Sequence, residues 1–343
     1  MNKAAITGKE RMEASFEGKK LDRYPVLLLL GGHYAEKAGF TLEQFLTQPE
    51  AALETAKLTC KELDSDAIFV PLNPLMPDAL EAFRKLLGKL PSIKKEDIKK
   101  KLPKWTVRKP REDQLFSGHL DMCETCVNVF PEYHVETMIG GPWSFALELR
   151  GANEAMIDIY DDKLFLHDLM NYTTETVIGR CLAVLEIGVF PFIGDPSAGM
   201  SLISPDVYQE HVLPYHKRIV DAVHERGGRI AFHICGYVDP IFNDLIDLGI
   251  DGLSIDAPSS LEKLFELARG KTTIIGNVDP ILFIEGTTDQ LQAEAKKCMD
   301  ITQGEAKYVI GPGCQIPLQA KLDNIRAFTK ACHKYGKFSR NIS

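Results

Sequence analysis

Several common signals are missing from this chain. The opening residues, Met1-Asn-Lys-Ala-Ala-Ile-Thr-Gly-Lys-Glu, are polar and lack the apolar core of an export signal. The apolar run Val26–Leu30 is far shorter than a membrane span needs. Eight cysteines in 343 residues do not make a disulfide scaffold. Without an export signal they read as reduced thiols of a cytoplasmic protein. Cationic excess is absent too: 40 Lys and Arg stand against 48 Asp and Glu, a net charge of −8. That balance excludes a basic footprint for nucleic acid and favours solubility. No GxGxxG follows the first expected strand, which removes the signature of a dinucleotide fold.

What is present is an ordinary globular composition, 45% hydrophobic and 26% charged. Short apolar runs ending in Gly, Pro or Asp alternate with stretches of helical periodicity. The runs begin near residues 24, 66, 135, 190, 229, 251, 272 and 307. Eight strands alternating with helices predict a closed (β/α)8 TIM barrel, one domain over residues 1–343. Residues 1–18 read as a short helix, and Thr41–Leu63 as one helix capped by Thr41. Residues 74–130 fit no regular pattern and read as an insertion after the second strand, with one or two helices. Its lysine-rich piece, 94–102, reads as a solvated helix face.

In such a barrel the carboxyl ends of the strands carry the chemistry. His233 and Cys235, two apart in Arg229-Ile-Ala-Phe-His-Ile-Cys-Gly236, point to one face of a strand. Cys314 ends the eighth run at the same rim. A thiolate pair with one imidazole suits zinc, and three protein ligands leave one position open. The plainer alternative makes both cysteines small buried hydrophobes and His233 a satisfied core histidine. Asp195 and Asp256 also end strands, as possible catalytic carboxylates; a loop cap is the competing role for Asp195. Tyr34, Asn277 and Gln315 stand where they could orient a substrate. The CxxC at Cys123 and Cys126 has no partner pair and reads as coincidence on a helix. Cys60, Cys181, Cys298 and Cys332 read as packing residues, and His211 and His216 as surface or supporting ones.

Three stretches carry a resemblance: Gly194-Asp-Pro-Ser-Ala-Gly-Met-Ser-Leu-Ile-Ser-Pro-Asp-Val-Tyr, His233-Ile-Cys-Gly236 and Gly311-Pro-Gly-Cys-Gln-Ile-Pro317. Together they resemble the uroporphyrinogen decarboxylase superfamily, and within it the cobalamin-dependent methyltransferases that act on coenzyme M. The resemblance implies a (β/α)8 barrel with zinc held by His233, Cys235 and Cys314. It also implies methyl transfer between a corrinoid and a small substrate: a thiol such as coenzyme M, tetrahydrofolate, or an O-methyl donor such as an aryl methyl ether. The chain has no DxHxxG corrinoid motif, so methylcobalamin is expected on a separate corrinoid protein. Decarboxylases of the superfamily carry an arginine-rich motif after the first strand. Here that place reads Leu30-Gly-Gly-His-Tyr-Ala-Glu36, without the cationic clamp a polycarboxylate tetrapyrrole needs. Tetrapyrrole decarboxylation and a non-catalytic zinc- or corrinoid-binding barrel stand as the alternatives. Neither nucleic acid nor membrane is expected as a partner.

Overall fold

The computed structural model describes residues 6–70 and 95–338. Seven parallel strands form one sheet in sequence order: β1 (Ala67–Val70), β2 (His134–Gly140), β3 (Phe190–Gly194), β4 (Ala231–Ile234), β5 (Gly252–Ile255), β6 (Thr273–Ile275) and β7 (Tyr308–Val309). Helices fill the connections, as parallel neighbours require. Among the described residues no helix is long and apolar enough to cross a membrane.

The closed eight-stranded barrel expected from the sequence is not what forms. The sheet is an open half-barrel, and β1 is not paired with β7. The missing strand is the first expected one, Tyr24–Leu30. That segment makes a single parallel bridge, Val26 to Ile310. The Leu27 N–H donates to the Ile310 carbonyl and the Ile310 N–H to the Pro25 carbonyl, both at 3.0 Å, and the Asp66 N–H donates to the Val26 carbonyl at 2.9 Å. Pro25 has no N–H to give. The Val26 N–H donates to the Asp66 carboxylate at 2.7 Å, and the Leu30 N–H turns back to the Leu28 carbonyl at 2.9 Å. Those bonds stay isolated and do not continue into a ladder.

Two smaller departures have local causes. The expected helix Thr41–Leu63 is two, Leu42–Thr47 and Pro49–Leu63, because proline opens a new helix and cannot continue an old one. Part of the expected insertion 74–130 lies outside the described residues. Its described part holds the helices Lys95–Lys101 and Gln114–Val129.

Strand alternation divides the core. Phe190 and Phe192 of β3 face the concave interior with Phe69, Ala231, Ile275 and Val309, and Met12 and Phe16 of the helix Gly8–Phe16 pack among them. Ile193, Phe232 and Leu253 face the surrounding helices in the larger core. Each fully buried side chain of this size contributes about 1.5–3 kcal/mol. At the amino end of the sheet, buried Asp66 binds Arg11 Nη1 and Arg23 Nη1, both at 2.5 Å, and Arg11 also pairs with Asp22.

Candidate metal centre

His233 lies on β4, in register with Gly194 of β3 and Ser254 of β5. Its side chain is buried. Nδ1 stands 3.1 Å from the Ser254 hydroxyl, and Nε2 stands 3.2 Å from Cys235 Sγ. With the Nδ1 proton donated to Ser254, the Nε2 lone pair faces the thiols. Cys235 follows the last residue of β4, where Gly236 turns the chain with φ 75°. Cys314 arrives from the loop after β7, and the two sulfurs are 3.7 Å apart. The three donor atoms lie within 4.8 Å of one another.

The donor set fits a soft divalent metal. Two thiolates about 2.3 Å from one tetrahedral ion would lie about 3.8 Å apart, close to the sulfur separation found. The hydrogen bond from the Cys235 thiol, and then the neighbouring His233 imidazole, hold the Cys314 thiol well below its usual range, against the opposing pull of burial. The same contact, then burial, pushes Cys235 up. One thiolate is thus favoured before any metal arrives. Both cysteines are half-buried, so the cluster is reachable. Two glycines allow the approach of the loops. A Cβ on Gly199 would meet the Cys235 carbonyl oxygen at 2.5 Å, and one on Gly313 the Ala257 nitrogen at 2.7 Å.

Asp256 stands close enough for its charge to raise both thiols. Its Oδ2 accepts the Gly236 N–H at 2.9 Å and its Oδ1 the Ala257 N–H at 2.7 Å. It therefore fixes the turn that carries Cys235. Asn277 is buried and donates Nδ2 to the carbonyls of Ser259 at 3.0 Å and Asp256 at 3.3 Å. Gln315 is exposed beside Gly31. Tyr34 is fully buried, with its ring beside the Arg326 guanidinium.

Asp195 is wholly buried and heavily engaged. It accepts the N–H of Trp143 at 3.1 Å and of Ser144 at 2.8 Å, capping the helix Pro142–Arg150. The Ser144 hydroxyl and His216 Nε2 complete its shell, at 2.5 and 3.0 Å. Its own N–H donates to the His233 carbonyl at 2.9 Å. His216 is thus buried rather than on the surface, and Tyr208 hydroxyl backs it at 3.1 Å. The CxxC cysteines are buried on the helix Gln114–Val129, where burial raises both thiols. Sequence reasoning missed Ser254, Ser144 and the role of Gly199. Only the strand register brings Ser254 to His233; Ser144 had a weak signal in the Gly-Gly-Pro that opens its helix.

A parallel α/β sheet with a thiol and imidazole cluster at the carboxyl ends of its strands defines the class. The sequence profile of the uroporphyrinogen decarboxylase (URO-D) family matches residues 7–335, and the chain belongs to that family. Within it the similarity extends furthest along the methyltransferases. Methylcobamide:CoM methyltransferase MtaA of Methanosarcina barkeri is 25% identical over 96% of this chain and 98% of its own length. Methylcobamide:CoM methyltransferase MtbA of Methanosarcina acetivorans is 26% identical over 57% of this chain; the chain spans 56% of that relative. A uroporphyrinogen decarboxylase of Xanthomonas campestris is 28% identical over 47% of this chain. The solved structure of a methyltransferase from Methanosarcina mazei shares the fold, with a TM-score of 0.79 over 96% of this chain and 99% of its own, at 22% identity.

Proposed function

We propose that this protein is a zinc-dependent methyltransferase that moves a methyl group between a protein-borne corrinoid and a small substrate. The substrate is a thiol, tetrahydrofolate or an O-methyl donor. The observation that carries this reading is the convergence of donor atoms of His233, Cys235 and Cys314 within 4.8 Å of one another, with both cysteines only half-buried. The similarity to methylcobamide:CoM methyltransferases along the whole chain supports it. Bound there, zinc supplies a site that keeps a substrate thiol ionised near neutral pH or polarises an ether oxygen.

The chain's own residues hold that site in shape. Ser254 orients the imidazole of His233. His233, Cys235 and Cys314 provide the donors, and the two sulfurs lower the demand for a further anionic ligand. The nearby Asp256 carboxylate favours a cation at the cluster and disfavours a second bound anion. Asp256 and Asn277 tie the turns after β4, β5 and β6 together, so the rim keeps its geometry around a small substrate. The loop Gly31-Gly32-His33 lacks arginine, which speaks against gripping a tetrapyrrole polycarboxylate.

The test is metal content and turnover on one preparation purified without chelator. About one zinc per chain is expected. The Cys314→Ser variant should lose that zinc. The metal-loaded protein should demethylate free methylcobalamin in the presence of coenzyme M or tetrahydrofolate, or methylate reduced cobalamin from an aryl methyl ether, read from the cobalt spectrum. Absence of zinc overturns the reading. Zinc with no turnover on any of these substrates favours a binding barrel instead.

A further inference from the structure

The amino end of the sheet, away from the donor cluster, opens into a groove of about 1530 Å³ outside the buried Asp66 network. Its walls are residues 20–23, residues 62–64 before β1, Gly304 and Ala306 before β7, and the last helix, Leu322–Tyr335, with the residues after it. Arg326, Thr329, Lys330, His333, Lys334 and, past the helix end, Lys337 all line the groove. Steps of three and four put them on one helix face. The other face, with Ile325, Phe328, Ala331 and Cys332, is buried in the core.

The groove is cationic in a chain whose net charge is −8. Six Lys and Arg line it, against the three acids Asp22, Glu62 and Asp64. Asp22 is paired with Arg11 at 2.7 Å, and Glu62 with Lys37 at 2.5 Å and Arg326 at 2.9 Å. Asp64 stands 3.5 Å from His333 Nε2. The two lining arginines are taken up as well, Arg23 by Asp66 and Arg326 by Glu62 and Asp323. Lys20, Lys330, Lys334 and Lys337 are exposed and make no ion pair among the described residues; Lys334 rests over the Tyr335 ring. The carboxyl end of a helix favours cations, which accounts for His333 and Lys334 in its last turn. It does not account for Lys330, a turn earlier, or for Lys20, on a separate segment. The lining also holds apolar surface. Leu21 and Leu63 are buried, and Phe338 is half-buried, held edge-on by Tyr24 at 4.7 Å.

We propose that this groove binds a small organic polyphosphate, of the class of nucleoside di- and triphosphates. Lysine ammonium groups are point charges with three donors each, suited to phosphate oxygens arriving from several sides. The forked guanidiniums that recognise carboxylates are already occupied, which disfavours a polycarboxylate. Phe338 supplies a ring on which a base can rest. The volume exceeds the roughly 300–1,000 Å³ of an ordinary ligand site, so a nucleotide fits with solvent left around it. An extended nucleic acid is repelled beyond the groove by the net negative chain. The site lies at the other end of the sheet from Cys235 and Cys314, so it holds whether or not the chain transfers methyl groups.

Calorimetric titration of the full chain at low salt tests it, with ATP, ADP, pyrophosphate and inorganic phosphate as separate arms. One site per chain is expected, with ATP and ADP tighter than pyrophosphate and pyrophosphate tighter than phosphate. Affinity should fall as salt rises, because the lysines are exposed. The double variant Lys330→Glu, Lys334→Glu should weaken ATP about tenfold or more, since two charge-assisted contacts become repulsive. Lys20→Glu should shift ATP in the same direction. Lys104→Glu makes the same charge change away from the groove and should leave the affinity within about twofold. Phe338→Leu should weaken ATP and spare pyrophosphate. All variants should keep the urea midpoint of wild type, which shows that they fold. Absence of saturable ATP binding, an affinity unmoved by the double variant, or an equal loss in Lys104→Glu overturns the site. Pyrophosphate binding as tightly as ATP overturns the nucleotide class. Tighter binding of a single-stranded oligonucleotide, growing with its length, overturns the proposal in favour of a nucleic-acid surface.

Discussion

The two ends of the sheet handle polarity in opposite ways. At the amino end the buried polar groups are full charges and each finds a protein partner. Asp66 accepts from Arg11, Arg23 and the Val26 N–H, and Arg11 also holds Asp22. At the carboxyl end the prominent polar atoms are two sulfurs and one imidazole nitrogen, and they face one another. Matched charges close the fold there, while the donor set here is left with capacity for a guest. Burial alone does not separate the two ends, since Asp66 and His233 are both almost inaccessible. What separates them is that full charges are matched by opposite charges at one end, while at the other soft metal-ligating atoms are turned on one another.

The sharpest way to break this contrast is to remove one partner at each end. Asp66→Ala leaves two guanidinium groups facing a gap, and a loss of about 3–5 kcal/mol in urea unfolding is expected. Cys314→Ala in metal-free protein should change unfolding by under about 1 kcal/mol, because no buried charge loses its counterpart. Comparable losses at both ends would erase the distinction.

Between the ends lies a case that obeys neither pattern. Glu136 on β2 is buried in the concave interior, and its Oε1 has no hydrogen-bond partner; the same is true of His134 Nε2, 3.9 Å from the Glu136 Oε2. Burial pushes the Glu136 carboxyl up to about 8 and His134 down to about 3, so both are neutral near pH 7. The unfolded chain ionises Glu136 above its ordinary value of 4.5, whereas the folded chain keeps the proton until about 8. Folding stability therefore declines as pH rises through that window, by about 1.4 kcal/mol per pH unit from this group. Glu136→Gln should remove that slope, with a gain that grows with pH to a few kcal/mol by about pH 8 and is then flat. Parallel unfolding profiles for variant and wild type from pH 5 to 8 would contradict it.

Asp195 tests the contrast inside the carboxyl end. Its four side-chain bonds resemble the matched pattern of Asp66 more than the open pattern of the cysteines. Asp195→Asn should cost about 2–3 kcal/mol of stability, since Asn offers one acceptor oxygen where two were used. The pH profile of kcat should be unmoved. A shifted profile with unchanged stability would instead make Asp195 a proton-transfer group.

Much of this layout is legible in the sequence, for physical reasons that also mark its limits. Seven strands announce themselves as apolar runs closed by Gly, Pro, Asp or Asn, a local signal. Tyr24–Leu30 carries the same local signal and still forms no strand, because the Val26 N–H is captured by Asp66, forty residues on. The donors His233 and Cys235 are legible because a spacing of two places them on one strand face, and Cys314 because it ends a later run. Asp195 is legible as a strand-end carboxylate, but its engagement with Ser144 and His216 depends on packing between distant helices. Ser254 leaves no trace at all, since only the β4–β5 register sets it opposite His233.

That register supports the smallest effect and the most specific one. The Ser254 hydroxyl is the partner of His233 Nδ1, and it fixes which imidazole nitrogen faces the thiols. Ser254→Ala removes the partner without touching a donor atom. Losing such a supporting hydrogen bond lowers metal affinity about 10–100-fold. Competition against a chromophoric zinc chelator measures this, and unfolding of the metal-free variant should stay within about 1 kcal/mol of wild type. Ser254→Thr keeps a hydroxyl on the same strand face and should recover most of the affinity. If alanine and threonine bind zinc equally well, His233 is held by packing alone. The carboxyl end would then owe its open geometry to the loops around the cluster, not to the strand beneath it.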